Sequence, residues 1–263
     1  MNKSVIVAAL VVGAVLLGGV LLASPNGSTR EPAGETLYPS SVVGTEFDFI
    51  TEADPSAFER IEYRGFEAFE MPDKRPTGEP LVQEAYMFRA YFTEGTTIDF
   101  ALDKRFGSRE AAEKDVARYM PMAGRLPKLY RRKIRHVVVH RGGEETTAFA
   151  EDKGHFFVIY SGNATKRIRT HDLEETFFHE STHASIQADH VNGQAWSRAK
   201  SLDKAYITEY ARTDDQEDFA ESALFAYTLL YHPERLPAED REKVQKQIPN
   251  RLAFFKKLFA SPS

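Results

Sequence analysis

Apolar and polar positions along the chain change period several times, and each change marks an expected element. Residues 5–23 form an unbroken run of 19 apolar or small positions, with Lys3 the only charge before them. A helix of that length spans about 28 Å, close to the thickness of a bilayer core. A cleavable signal peptide has a shorter apolar region, about 7–15 residues, ending in an A-x-A-like site. This run closes instead on Val20-Leu21-Leu22-Ala23-Ser24. Residues 1–24 are therefore expected to be a transmembrane anchor, with a signal peptide as the alternative, and either one carries the rest of the chain out of the cytoplasm. Residues 25–45 hold Pro25, Gly27, Pro32, Gly34 and Pro39 and read as a flexible linker.

Beyond the linker the period is that of strands. Residues 61–71 and 85–92 are rich in aromatic and β-branched side chains, and breakers from Pro72 to Pro80 separate them. Glu94-Gly95 turns a hairpin that continues to Leu102. The stretch 46–105 is thus a β-rich region, either an accessory sheet or part of the scaffold of the domain that follows.

From 106 to 263 strands and helices mix. Ser108 opens a helix that Pro121, Gly124 and Pro127 interrupt. Residues 135–141 form a strand, whose His136 and His140 stand ~13 Å apart and cannot share a metal. A hairpin joins 147–150 to the strand 155–160. That second strand is either a place for an extended peptide to pair by its backbone or an ordinary member of the sheet. Residues 161–170 read as a polar loop. No Pro or Gly interrupts 173–191, a helix that Asp172 and Glu175 would open as a capping box and Asn192-Gly193 would stop. Helices are also expected over 196–207, from the Asp214/Glu217 capping box to Tyr231, and over 239–259, where Leu252, Phe255 and Phe259 make a stripe packed on the domain. The fold class is α+β, with a small mixed sheet and helices.

Composition narrows the chemistry. In 263 residues, 42% hydrophobic and 28% charged, there is ample length for a real core. A net charge of -5 argues against nucleic acid as a partner. The absence of cysteine removes disulfides, thiol nucleophiles and zinc-thiolate sites. What remains is His179-Glu180-Ser181-Thr182-His183. Four helical residues advance about 400°, so the two imidazoles lie one turn apart on one face, where a single zinc ion can take both. Glu180 stands beside them, able to act on water. A catalytic zinc needs a third protein ligand and one open position. Glu217 or Glu221, four apart on the following helix, can supply it. The metzincin pattern fails, because Asp189 occupies the place of its third histidine and His190 comes one residue late.

His179 to His183, followed by Tyr210-Ala211-Arg212-Thr213 and the Glu217/Glu221 pair, resembles the catalytic domain of the anthrax lethal factor family of toxin-type zinc peptidases, over roughly residue 173 to the end. The resemblance implies a zincin-like domain holding one Zn2+ through His179, His183 and Glu217, with Glu180 as general base. It implies that Tyr210 donates to the oxyanion and that Glu221 orients a ligand histidine from behind. No toxin delivery or substrate-recognition region accompanies these motifs. The expected activity is therefore a membrane-anchored or exported zinc peptidase acting on peptide or protein substrates. The alternatives are an inactive zincin-like binding module and a zinc hydrolase of a non-peptide amide in the cell envelope.

Overall fold

Eight strands build two sheets in the computed structural model, which describes residues 34–203 and 205–260. The strands are β1 Glu35–Tyr38, β2 Phe58–Glu70, β3 Val82–Phe92, β4 Thr97–Asp103, β5 His136–His140, β6 Phe149–Glu151, β7 Phe156–Tyr160 and β8 Ala205–Thr208. The larger sheet runs β2-β3-β4-β5-β7-β6, parallel through β4, β5 and β7 and antiparallel towards both edges. The strands of 46–105 and those that follow 106 therefore share one hydrogen-bonded sheet. β1 and β8 pair in parallel as a separate two-stranded sheet.

Strand alternation sends Val137, Val139, Phe157 and Ile159 to the main core and Val138, Val158 and Tyr160 to a smaller one. The 71–81 connection covers the smaller core. Starting from the far edge strand β2, it reaches β7, where Lys74 N–H donates to Tyr160 Oη (3.1 Å) and Tyr160 donates to Asp73 (3.1 Å).

Helices pack on the main core: α1 Arg109–Val116, α2 Met120–Arg125, α3 Lys128–Arg131, α4 Ser161–Thr170, α5 Leu173–Thr182, α6 Ala188–His190, α7 Gln194–Leu202, α8 Asp215–Tyr231, α9 Ala238–Gln247 and α10 Pro249–Ala260. A π-helical turn, His183–Gln187, joins α5 to α6. Ser108 caps α1 and Asp214 caps α8, the latter accepting from Gln216 N–H and Glu217 N–H. Among the described residues no helix is long and apolar enough to cross a membrane. The anchor expected at 1–24 lies outside them.

Several sequence expectations change. The linker over 25–45 ends sooner, because 35–38 are a strand and Leu37 and Val42 enter the main core. Residues 161–170 are helical, with Ala164 buried. The helix over 196–207 stops at Leu202, and β-branched Ile207 and Thr208 pair with β1 instead. The helix over 239–259 divides at Pro249, which lacks an N–H and starts α10. Asp203 accepts from the next two amides, Asn250 N–H (3.0 Å) and Arg251 N–H (2.8 Å). The aromatic stripe of α10 does pack on the body, Phe255 against Trp196 and Phe219. β7 is interior, so the edge available to an extended partner belongs to β6.

The capping box at Asp172 and Glu175 does not form. Asp172 makes no side-chain cap, and Glu175 is buried, accepting from Phe49 N–H (3.0 Å) and Ile50 N–H (3.2 Å). Burial pushes the Glu175 carboxyl up to about 8; backbone donors oppose that rise, and Glu174 and Asp172 add to it. A raised acid holds its proton in the fold after the unfolded chain has released it. Its stabilising contribution is therefore complete below pH 4.5 and is lost as pH rises to about 8, at up to ~1.4 kcal/mol per pH unit. Glu175→Gln is expected to flatten the thermal midpoint against pH across that window. An unchanged slope in the variant would mean that the carboxyl ionises freely in the native state.

Candidate metal centre

α5 and the π turn that continues it carry His179 and His183, α8 packs against them with Glu217, and these three form a group able to hold a metal ion. The two Nε2 atoms are 3.0 Å apart, and Glu217 Oε2 lies 3.1 Å from His179 Nε2 and 3.3 Å from His183 Nε2. Tetrahedral ligands at ~2.0–2.1 Å from zinc would be separated by about 3.3–3.4 Å. The observed triangle is slightly tighter than that. Glu217 Oε2 is also buried without a hydrogen bond of good geometry, despite its closeness to both rings. Three ligand atoms this close together, one of them a buried carboxylate oxygen with no hydrogen-bond partner, suit an ion between them. The donor set fits a divalent metal, and the geometry leaves the element open.

The sequence places each ligand by local means. His179 and His183 stand one turn apart because no Pro or Gly interrupts the run from α5 into the π turn. Glu217 sits in the first turn of α8, where its own N–H donates to Asp214 Oδ1 (2.9 Å). Aromatic packing between Phe178 and Tyr227, with ring centroids 5.2 Å apart, sets the two helices against each other.

Electrostatics favour charge at this spot. Burial opposes a protonated His179, but Glu217 and Glu221 outweigh it and raise its pKa well above the ordinary value. Burial alone would raise Glu217; contacts with His179 and His183 hold it far below the usual carboxylate range. Glu180 is half-buried beside His179. Burial raises its carboxyl, and the pull of His179, His183 and Lys74 opposes that rise.

The remaining expected residues lie at the same place. Tyr210 is part-exposed, its hydroxyl donating to Glu217 Oε1 (3.1 Å) and its ring stacked 6.1 Å from that of His179. Glu221 is fully buried, with Oε1 at 3.1 Å from His179 Nδ1, an ion-pair distance bent out of line for a hydrogen bond.

Sequence reasoning missed four contributors. Gln187 accepts from His183 Nδ1, which leaves Nε2 free to bind a metal. Its position, four residues beyond His183, was the available signal. Ser41 and Thr208 hold Glu221, and Lys74 reaches the residues just before edge strand β6, donating to Thr147 Oγ1 (2.8 Å) and Ala148 O (3.2 Å). No local pattern announces any of these three. The π turn also went unforeseen; His155 Nδ1 fastens it by donating to Ala184 O (2.9 Å). No protein-family model, curated protein or solved structure matches the chain.

Proposed function

We propose that the chain is a zinc-dependent peptidase of the zincin type, hydrolysing peptide bonds in an extended substrate outside the cytoplasm. One observation carries this reading: three ligand atoms from His179, His183 and Glu217 within 3.3 Å of one another, with Glu180 beside them. A structural zinc normally takes four protein ligands, and among the described residues the group has three. The motif resemblance to the lethal factor family and the apolar run at 5–23 support the same reading, the latter by suggesting a membrane tether.

Zinc held there would polarise a scissile carbonyl and bring the pKa of water towards ~7. Glu180 takes a proton from the attacking water and returns it to the departing amine. Tyr210 turns its hydroxyl from Glu217 to the oxyanion, where one donor is commonly worth ~3–4 kcal/mol. β6 is the edge strand beside α5 and the π turn, and it offers backbone groups to a peptide lying along it.

The test is metal analysis of the full chain, paired with cleavage of a diverse peptide library with and without chelator. One zinc per chain and cleavage that stops with chelator are expected. Cleavage that survives chelation rejects the mechanism, and one zinc without cleavage favours the inactive binding module. A fragment beginning at Thr45 would be a poor choice, since it removes β1 and the Ser41–Val42 turn.

A further inference from the structure

The residues behind His179 come largely from the far end of the chain. Glu221 accepts from Ser41 Oγ (2.9 Å) through Oε1, and from Val42 N–H and Thr208 Oγ1 (2.7 Å each) through Oε2. Two of those three donors are about 180 residues away in sequence. Val42 opens a 3₁₀ turn, Val42–Gly44, that Ser41 caps shortly after β1. The same segment grips the tyrosine loop: Glu209 N–H donates to Tyr38 O (3.0 Å) and Tyr210 N–H to Ser40 O (2.9 Å). β1 is itself well fastened. It pairs with β8, Tyr38 stacks on Phe225 at 5.2 Å and donates to Asp240 (2.7 Å), and Lys243 donates to Leu37 O (2.7 Å).

We infer that the segment Tyr38–Val42 is a positioning clasp for the metal centre, holding Glu221 behind His179 and the Tyr210 backbone beside it. A histidine offers Nε2 to a metal only when its proton sits on Nδ1, and an acceptor fixed at Nδ1 selects that tautomer. Glu221 is the carboxylate set at that nitrogen, with Oε1 3.1 Å from His179 Nδ1, and its three donors stop it from turning away. By linkage, docking of the segment tightens metal binding, and metal binding tightens docking by the same factor. Ser41 and Val42 are positioning residues, acting through Glu221. The inference rests on the metal-site reading above and adds a control of affinity from outside the two helices.

Val42→Pro in the full chain tests it directly. Ser41 is extended (φ -130°, ψ 164°), as a residue before proline must be, and Val42 opens the turn, where proline is tolerated. The substitution therefore deletes the N–H donor and replaces the buried valine side chain with a ring of similar size. Zinc affinity, read against a competing chelator dye, is expected to fall roughly 10-fold, the effect typical of partners behind a ligand. Ser41→Ala should weaken it in the same direction, and Ser41→Thr should restore it. A purely structural role would lower the metal-free melting temperature and leave the zinc dissociation constant unchanged, which would overturn the inference. Amide exchange on the parent chain gives a second reading that needs no variant: zinc should slow exchange at Val42 and Tyr210. Unchanged exchange at both on zinc binding overturns the inference. A parent that binds no zinc would overturn the metal-site reading itself, and the clasp with it.

Discussion

Glu180→Gln is expected to keep one metal ion per chain while peptide hydrolysis falls by about 10²–10⁴-fold, the usual loss when a positioned base is removed. Glutamine matches glutamate in size, so the helix face and both histidines stay in place, and only the proton acceptor is lost. The site makes Glu180 suitable for that task. It follows His179 directly, is half-buried, and burial lifts its pKa against the pull of His179, His183 and Lys74. A base works best when its pKa approaches the working pH. The assay is turnover on a cleaved library peptide, with metal content measured on the same sample. A variant as active as the parent would remove Glu180 from the mechanism. A variant that loses its metal would give Glu180 a part in holding the centre.

The parts of this molecule legible in sequence are those that local chemistry decides. The Glu94-Gly95 hairpin, the Ser108 and Asp214 caps and the start of the helix at Leu173 each depend on residues a few positions apart, whereas the π turn that breaks the expected 173–191 helix at His183 does not. The pairing of His179 with His183 belongs to the same class. Elements fixed by distant partners were not legible. β8 is four residues long, and its partner β1 lies about 170 positions earlier, so its aromatic and β-branched residues could as well have extended α7. Composition misled at 161–170, where Ser161-Gly162-Asn163 suggests a loop. Gly162 is there because the start of α4 presses on the preceding turn: a Cβ would meet Glu144 N at 2.9 Å and Gly142 C at 3.0 Å. Composition misled likewise at 35–45, where Pro and Gly neighbours conceal Leu37 and Val42, both core residues.

The same division runs through the candidate site. The ligands come from two helices with strong local signals, whereas their supports come from wherever the fold brings a donor. Glu175 and Glu221 show this together. Both are buried carboxyl groups on the helices that carry candidate ligands, and both accept backbone N–H groups from the 42–50 stretch. One strand of chain therefore ties α5 to α8, and only the folded arrangement reveals it.

Glu217→Ala should weaken zinc binding by more than ~10³-fold, because it leaves two imidazoles where a catalytic site needs three ligands. The loss should be visible without any substrate. With free zinc near 1,000 times the dissociation constant, the parent gains ~4.1 kcal/mol of stability. In a domain of this size that raises the melting temperature by roughly 8–16 °C. Glu217→Ala should show almost none of this shift. Glu217→Asp separates charge from reach: it keeps the carboxylate but draws it back by one methylene from the triangle now closed at 3.1 and 3.3 Å. An intermediate shift is expected for it, since the two histidines remain on their helix face and the shortened carboxylate still faces them. The alanine variant also frees the Tyr210 hydroxyl, whose partner is Glu217 Oε1, so loss of metal and a changed tyrosine environment should appear in the same protein. If the alanine variant kept the full zinc-dependent shift, the ion would have to sit away from the crossing of α5 and α8, and Glu180 would have no metal beside it to serve.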